Sequence, residues 1–311
     1  MSVNILVGDC REVLRTIPEK SIQTCVTSPP YFGLRDYGVE GQIGLEQTPD
    51  EYVAEMVAVF REVRRVLRDD GTLWLNLGDS YWTAKGASYG VDPKQGARRG
   101  WARPQDRPPP AGLKGKDLIG VPWRVAFALQ ADGWYLRSSI IWHKPNPMPE
   151  SVADRPTNAH ENIFLLAKSD RYHFDAEAVK ERAESERVRG PALHADTKST
   201  NGNGGLSRRK PQEFRNIRNV WTVPTRGFSE AHFATFPPAL IEPCIKAGCP
   251  AGTTGLVADR LGRDAILIEL NPDYASMAEK RVYSDQPLFA QVVREAAEQS
   301  PCQALRTPVD N

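Results

Sequence analysis

Short apolar runs and amphipathic stretches alternate along the chain. Residues 3–8 and 22–26 are apolar and rich in β-branched side chains, which is typical of buried strands. Residues 48–71 open with the capping-box sequence TPDE and then place apolar side chains at helical spacing. Residues 72–77 (TLWLNL) read as the next strand. This strand–helix–strand order predicts an α/β fold with a mostly parallel sheet and helices on both faces.

The same patterns predict five further helices and three further strands. The helices cover residues 11–16, 121–130, 238–247, 253–261 and 272–282, and the strands cover residues 135–142, 162–167 and 265–269. The tail, residues 284–311, tolerates a helix but is weakly patterned.

Two basic segments interrupt this alternation. Residues 83–117 hold eight Lys or Arg against three Asp, and residues 178–218 hold ten Lys or Arg against five acidic residues. Each segment therefore has a net charge of +5 (8 − 3 and 10 − 5). Neither has a clear period, so two interpretations stay open: solvated loops, or arms that neutralise phosphate groups. The candidate phosphate contacts are Arg98, Arg99, Arg103, Arg208, Arg209 and Lys210.

The composition is that of a globular protein without a strong electrostatic bias. Forty basic residues balance 39 acidic residues over 311 positions, which gives a net charge of +1. No run approaches the ~20 apolar residues of a membrane span, and the first residues lack the pattern of a secretory leader. The five cysteines form no C-x-x-C pair. We therefore expect reduced thiols, a cytoplasmic location and no metal site.

The sequence Thr27-Ser28-Pro29-Pro30-Tyr31 follows the second predicted strand. Two prolines stop a strand and hold the chain extended, and the carboxyl edge of an α/β sheet is where ligands bind. The Ser28 hydroxyl can accept a hydrogen bond from an amino group, while Tyr31 offers an exposed ring for stacking. A proline turn with a half-buried tyrosine accounts for the same residues without chemistry, so both interpretations stay open.

Two carboxylates stand at the ends of other predicted strands. Glu269 is placed to bind both hydroxyls of a ribose, and Asp9 is placed to accept a hydrogen bond from an adenine amino group. A segment before the helix 238–247 can cover a flat ligand, and its candidate residues are His232, Phe233, Phe236 and Pro237. Each of these features taken alone also has an ordinary structural explanation.

Together these segments resemble the amino-methyltransferases of DNA, which act on N4 of cytosine or N6 of adenine. TSPPY resembles the catalytic motif of that family, and TLWLNLGDSY, IIWHKPNPMPES and RPTNAHENIFLLAKS resemble its later blocks. AHFATFP resembles the segment that contacts the cofactor, and AILIELNPDY resembles the ribose-binding strand and turn. The catalytic block precedes the cofactor block, which is the permuted arrangement called beta. The resemblance covers nearly the whole chain except the two basic segments and the tail.

The resemblance implies a permuted, Rossmann-like methyltransferase fold with two irregular basic insertions. It implies a catalytic part over residues 1–177, a target-recognition insertion over 178–218, a cofactor-binding part over 219–283 and a tail over 284–311. The implied cofactor is S-adenosylmethionine, and the implied partner is double-stranded DNA with a flipped target base. The implied catalytic residues are Ser28, Pro29, Pro30 and Tyr31, and the implied cofactor contacts are Asp9, His232, Phe233, Phe236, Pro237, Thr253, Thr254, Glu269 and Asn271.

The identity of the target base depends on one residue. Ser28 stands where adenine enzymes of the family more often carry Asp or Asn, so we expect cytosine N4 as the target and keep adenine N6 as the alternative. Methylation of RNA or of a protein side chain is a third, less favoured hypothesis. The resemblance also implies a bacterial or phage-encoded restriction-modification enzyme, and it leaves a homodimer and a cognate restriction endonuclease open. Cys302 in the tail resembles the nucleophile of carbon-5 cytosine enzymes, but no strand precedes it, so it receives no role.

One departure from the family pattern concerns the cofactor side. Family members place a strand and a glycine-rich loop of the type LDPFxGSG before a helix that begins with GTT. Here only Pro250, Ala251 and Gly252 separate the segment CIKAGC from Thr253, whereas a strand and its loop need roughly ten residues. We favour a segment missing from this sequence. Completion of the site by a partner chain and a cofactor-dead relative that still binds DNA are the alternatives.

Overall fold

The computed structural model describes residues 2–39, 41–83, 104–183, 213–225, 237–249, 255–262, 264–285 and 291–296. Its strands are β1 (Ser2–Val7), β2 (Ile22–Thr27), β3 (Leu67–Leu77), β4 (Tyr135–His143), β5 (His160–Ala167), β6 (Glu181–Arg182), β7 (Phe214–Arg215), β8 (Val220–Thr222), β9 (Ala265–Glu269) and β10 (Gln291–Ala296). Its α-helices are α1 (Cys10–Thr16), α2 (Pro49–Val66), α3 (Val121–Ala131), α4 (Pro238–Gly248), α5 (Gly255–Arg260) and α6 (Pro272–Asp285).

Two sheets carry the fold. β2, β3, β5, β4 and β8 lie side by side in that order, and β5 runs antiparallel to both of its neighbours. The other neighbours in this sheet, β2 with β3 and β4 with β8, are parallel. β10, β1 and β9 form a second sheet that is wholly parallel. Because β5 is reversed, its amino end lies at the same edge as the carboxyl ends of β2, β3 and β4.

The side chains of β3 alternate between two apolar cores. Leu73 and Leu75 pack into the first core, which includes the buried face of α2. Trp74 packs into the second core, which includes α4. Helix α2 begins where the sequence predicts, because Thr48 and Glu51 form the expected reciprocal capping box. Helices therefore cover both faces of the sheet, and the predicted α/β class is confirmed.

Four parts of the chain differ from their predicted structure. β8 pairs with β4 where no strand is predicted. β3 begins at Leu67, directly after α2, because Leu67 already pairs with Ile22 of β2. The weakly patterned tail contains β10, which pairs with β1. The basic segment 178–218 contains β6 and β7, which pair with each other. In these last three cases tertiary pairing overrides a local sequence that is not typical of a strand. Residues 84–103 and 184–212, the greater part of the two basic insertions, lie outside the described residues.

The two sheets approach each other across a cavity between β2 and β9. Among the described residues, β2 pairs only with β3 and β9 pairs only with β1, so each is an edge strand. Both edges line a cavity of about 580 Å³, with Cys25 and Val26 on one side and Ile266 and Ile268 on the other. One additional parallel strand would satisfy both edges. The segment after Cys249 is too short to supply it, as the comparison with the family pattern predicts.

Inserting a strand and loop of the pattern LDPFxGSG between Pro250 and Ala251 is therefore expected to stabilise the protein. The new strand would pair with β2 and β9 and cover two or three apolar side chains, each worth about 1.5–3 kcal/mol on full burial. At about 2 °C per kcal/mol for a chain of this size, Tm should rise by at least ~5 °C in scanning calorimetry. An insertion of equal length composed of Gly and Ser serves as the control. A Tm no higher than that of the control would contradict a strand-sized gap.

Candidate active site

The loop of residues 28–31, called here the proline loop, leaves the carboxyl end of β2 at the sheet edge. Pro29 and Pro30 end the strand because neither can donate a backbone hydrogen bond. The carbonyl oxygen of Pro30 accepts a hydrogen bond from the Tyr52 hydroxyl at 2.9 Å. Tyr52 is fully buried in α2, so the proline loop is tied to the first core.

Tyr31 turns back toward the sheet, and the predicted exposed ring is in fact partly buried. Its side chain packs against the first core. Gly78, just after β3, makes room for it: a Cβ atom at Gly78 would lie 2.6 Å from Cε2 of Tyr31. The position of the ring is therefore fixed by close contact with backbone.

The Tyr31 hydroxyl belongs to a cluster of polar side chains at the ends of four strands. It donates to Glu161 Oε2 at 2.6 Å and accepts from Ser28 Oγ at 3.1 Å. The Asn76 amide nitrogen lies 2.8 Å from Tyr31 Oη and 2.8 Å from Glu161 Oε2. Lys144 Nζ forms an ion pair with the other carboxylate oxygen, Glu161 Oε1. We call these five residues the Glu161 cluster.

The Glu161 cluster is largely shielded from water. The side chains of Lys144 and Glu161 are 18% and 14% exposed, and Lys144 Nζ also lies 4.4 Å from the ring centre of Trp142. Burial raises the pKa of Tyr31 well above its usual range, and the neighbouring Glu161 carboxylate raises it further. Tyr31 is therefore a neutral hydrogen-bond donor at neutral pH.

Six predicted site residues line the cavity between the two sheets. They are Asp9, Ser28, Pro29, Pro30, Glu269 and Asn271. Val7 of β1 pairs with Glu269 of β9, and the Gly8 N–H donates to the Glu269 carbonyl at 3.0 Å. This pairing places Asp9 and Glu269 at adjacent strand ends, with the proline loop across the cavity. Ser28 is the one residue that both lines the cavity and belongs to the Glu161 cluster.

The two carboxylates at the cavity have different electrostatic surroundings. Asp9 caps α1, and Arg11 hydrogen-bonds both of its oxygens, which lowers the pKa of Asp9. Glu269 accepts a hydrogen bond from the backbone N–H of Asn271 at 2.9 Å. Burial nevertheless raises the pKa of Glu269 above its ordinary value of 4.5. Asp9 is thus already engaged by Arg11, whereas Glu269 is a partly desolvated carboxylate at the cavity wall.

The other predicted site residues fall into two groups. Pro237 directly precedes α4 and does not line the cavity, although its neighbour Pro238 does. The rest lie outside the described residues: His232, Phe233, Phe236, Thr253, Thr254, Arg98, Arg99, Arg103, Arg208, Arg209 and Lys210.

Sequence reasoning missed Asn76, Lys144 and Glu161 as site residues. All three lie in segments that resemble family blocks, but no role follows for them from the motifs alone. A signal was available for Asn76, because it stands between Leu75 and Leu77 in an apolar strand, and buried polar groups need partners. The reversed direction of β5 brings Asn76 and Glu161 together, and that direction is not visible in local sequence.

Two other kinds of chemistry find no support in the described part of the chain. No group of three or more His, Cys, Asp or Glu side chains there could hold a metal ion. Cys10 and Cys25 line the cavity, but burial raises the pKa of Cys10 to about 11 and that of Cys25 to about 12. Both are therefore protonated thiols and poor nucleophiles at neutral pH.

No helix in the described ranges is long and apolar enough to cross a bilayer.

The known proteins that match this sequence are methyltransferases. The N6/N4 methylase family model, described as DNA methylase, matches residues 22–280. Type II methyltransferase M.Cfr9I of Citrobacter freundii is 46% identical over 301 residues, which cover 93% of this chain and 90% of that protein. Type II methyltransferase M.SmaI of Serratia marcescens is 45% identical over 292 residues, which cover 90% of this chain and 91% of that protein.

Solved structures with the same fold are also methyltransferases. PvuII DNA methyltransferase (cytosine-N4-specific) has a TM-score of 0.59 at 17% identity and covers 94% of this chain and 95% of its own. The S-adenosyl-L-methionine complex of a putative DNA modification methylase from Thermus thermophilus has a TM-score of 0.57 at 22% identity. The match covers 94% of this chain and 98% of that protein. These likenesses confirm the predicted Rossmann-like fold.

Gly78→Ala is expected to displace Tyr31, because the added Cβ would overlap the ring. A displaced ring loses burial and its contact with Glu161, so the pKa of Tyr31 should fall. Tyrosine labelled with ¹³C at Cζ reports this change in an NMR titration, with the exposed Tyr135 as internal control. Wild-type Tyr31 should stay neutral up to alkaline unfolding. Identical titrations of wild type and variant would show that Gly78 does not fix the ring.

Proposed function

The chain belongs to the N6/N4 DNA methylase family, and from this membership we propose that it methylates the exocyclic N4 amino group of cytosine in double-stranded DNA. The observation that carries the proposal is the proline loop, which places Ser28 at one wall of a cavity whose opposite wall carries Glu269, with Tyr31 hydrogen-bonded to Ser28. The acceptor base and the methyl donor would meet across this cavity. The enzyme is a Type II DNA methyltransferase, and the choice of cytosine N4 is the finer proposal.

The proline loop has the groups needed to orient an amino group. Ser28 donates its own proton to Tyr31 and accepts a long hydrogen bond from the Asn76 amide at 3.4 Å, so one lone pair of its oxygen remains to accept an N–H of the base. The Pro30 carbonyl is taken by Tyr52, which leaves the Pro29 carbonyl as the second acceptor of the loop. Two such hydrogen bonds would draw the amino lone pair out of conjugation with the ring and fix its direction. The partly exposed ring of Tyr31 is the proposed stacking surface for the flipped base.

The cavity suits the adenosine part of S-adenosylmethionine. Its volume of about 580 Å³ is within the ~300–1,000 Å³ of small-molecule sites. The Glu269 carboxylate offers two acceptor oxygens for the ribose hydroxyls, and apolar side chains such as Ile268 line the walls. When bound, S-adenosylmethionine supplies an electrophilic methyl group. Thr253 and Thr254, two further proposed cofactor contacts, lie outside the described residues.

Ser28 supports cytosine over adenine as the target. Family members that act on adenine more often carry Asp or Asn at that position of the motif. The fold shared with PvuII DNA methyltransferase, which is cytosine-N4-specific, agrees with this proposal. Adenine N6 is the second candidate, because the same proline loop could accept the amino group of either base.

The biological setting follows from the relatives, which are Type II methyltransferases. We propose that the protein works in the bacterial cytoplasm on the site of a cognate restriction endonuclease. Residues 178–218 are the proposed target-recognition segment, and the basic residues of both insertions are the proposed phosphate contacts.

Analysis of the methylated nucleoside separates these candidates. DNA incubated with the protein and labelled S-adenosylmethionine should yield N4-methylcytosine after digestion and chromatography. The Ser28→Ala variant should yield at least ~100-fold less product, because an acceptor for the amino group is lost. N6-methyladenine would overturn the choice of base. Label in RNA but not in duplex DNA would overturn the choice of substrate.

Cofactor affinity is expected to depend on the charge of Glu269. Because burial raises its pKa above 4.5, affinity should be full above that raised pKa and should fall as the pH drops through it. Glu269→Gln should weaken binding about tenfold or more, since a hydrogen bond to a charged group is lost, and should remove this pH dependence. Calorimetric titration between pH 4.5 and 8 measures both effects, with Glu242→Gln on α4 as control. An unchanged pH dependence in Glu269→Gln would exclude this role.

A further inference from the structure

We propose that Glu161, acting through Tyr31 and Ser28, receives the proton that the base amino group must lose when it gains a methyl group. This inference rests on the proposed function and adds a path for the released proton. Glu161 does not line the cavity, so it is a positioning residue and proton acceptor rather than a group that touches the substrate.

The path is a chain of hydrogen bonds that all point the same way. Ser28 Oγ donates to Tyr31 Oη at 3.1 Å, and Tyr31 Oη donates to Glu161 Oε2 at 2.6 Å. The chain begins at the cavity wall, where Ser28 lies, and ends at a shielded carboxylate. Asn76 donates to Ser28 Oγ, to Tyr31 Oη and to Glu161 Oε2, and so holds the three residues together. The two hydroxyl protons are directed from the cavity toward Glu161.

The transfer balances without any further reactant. One N–H bond of the methylated, positively charged amino group breaks, and its electron pair stays on nitrogen. The proton passes to Ser28 Oγ as the Ser28 proton passes to Tyr31 Oη and the Tyr31 proton passes to Glu161 Oε2. Ser28 and Tyr31 end as they began, Glu161 becomes a neutral acid, and the nitrogen becomes neutral. Exchange with solvent then restores the carboxylate.

Other candidate acceptors near the cavity are less suitable. Asp9 is held by Arg11 through both oxygens. Asp79 accepts the backbone N–H groups of Ser80, Gly120 and Val121 and so caps α3. Glu269 stands on β9, in the other sheet from the proline loop. The hydrogen-bond chain that starts at Ser28 leads to Glu161.

The charged and titratable groups around Glu161 define what a pH profile reports. Lys144 from the end of β4 and Tyr31 from the proline loop contact it directly. Tyr52 of α2 adjoins the proline loop, and His143 and His160 pair with each other next to Lys144 and Glu161. Lys144 pairs with Glu161 Oε1, and Tyr31 donates to Glu161 Oε2, so the two carboxylate oxygens have separate partners.

The first test measures methyl transfer in a single turnover, at saturating DNA and cofactor, as a function of pH. Because the proposed proton acceptor must be a carboxylate, wild-type transfer should slow toward acid pH. Glu161→Gln keeps the shape of the side chain but cannot take the proton. Its rate should fall about 100-fold or more and lose the acid limb, while KM and both dissociation constants stay within about threefold of wild type. Glu62→Gln, in an ion pair with Arg65 on α2, is the matched control.

The double variant tests whether the two residues form one path. Tyr31→Phe removes the middle hydroxyl without touching the Lys144–Glu161 ion pair, so it remains informative if Glu161→Gln is unstable. Each single variant and the Tyr31→Phe/Glu161→Gln double variant should have the same low rate. Any of three results would overturn the proposal. The rate losses of the two single variants could multiply in the double variant, or Glu161→Gln could keep a rate within about threefold of wild type. The decrease in rate at acid pH could also persist in Glu161→Gln.

A second readout does not need methyl transfer. In the free protein labelled with ¹³C at tyrosine Cζ, Glu161→Gln should lower the pKa of Tyr31, because the negative charge beside the hydroxyl is removed. An unchanged Tyr31 titration would overturn the path even if no transfer could be measured. Absence of transfer by the wild type, with the expected shift in Tyr31, would instead count against the proposed function and leave the hydrogen-bond chain intact.

Discussion

The buried carboxylate of Glu161 is the interaction on which the geometry of the candidate site depends. It joins Tyr31 of the proline loop, Asn76 of β3 and Lys144 after β4 through hydrogen bonds and one ion pair. Removing one partner of such a pair leaves an uncompensated charge in a poorly solvated place, which is strongly unfavourable. The carboxylate therefore holds the ends of four strands in one arrangement. Ser28 is positioned by the same cluster through its hydrogen bond to Tyr31.

The two walls of the cavity differ in how many contacts hold them in place. On one wall the proline loop is fixed by Tyr52 below and by the Glu161 cluster behind it. On the other wall Glu269 stands at the end of β9, which in the described residues pairs on one side only. The proposed acceptor side is therefore held by contacts on several strands, whereas the proposed donor side has a strand-sized gap next to it among the described residues. This contrast explains why acceptor and cofactor functions need separate measurements in this protein.

Sequence patterns predict the parts of the fold that rest on local periodicity. The capping box of α2 and the alternation in β3 are examples, and the motif TSPPY correctly marks a loop at the carboxyl edge of β2. The reversal of β5 and the early start of β3 escape such patterns, because both depend on pairing with distant strands. The motif leaves open whether the Tyr31 ring is exposed or half-buried, and the contact with Gly78 and the bond to Glu161 turn it inward. Long-range partners such as these have no local signature.

The proposed chemistry requires the proline loop to hold the amino group of the target base. A crystal structure of the protein bound to a DNA duplex that contains its target would test this most directly, through the distance from the exocyclic nitrogen to Ser28 Oγ. We predict a flipped cytosine whose N4 lies within about 3.2 Å of Ser28 Oγ, with Tyr31 still bonded to Glu161. A flipped base whose amino group instead contacts Asp9 or another part of the cavity, away from the proline loop, would contradict this role of Ser28.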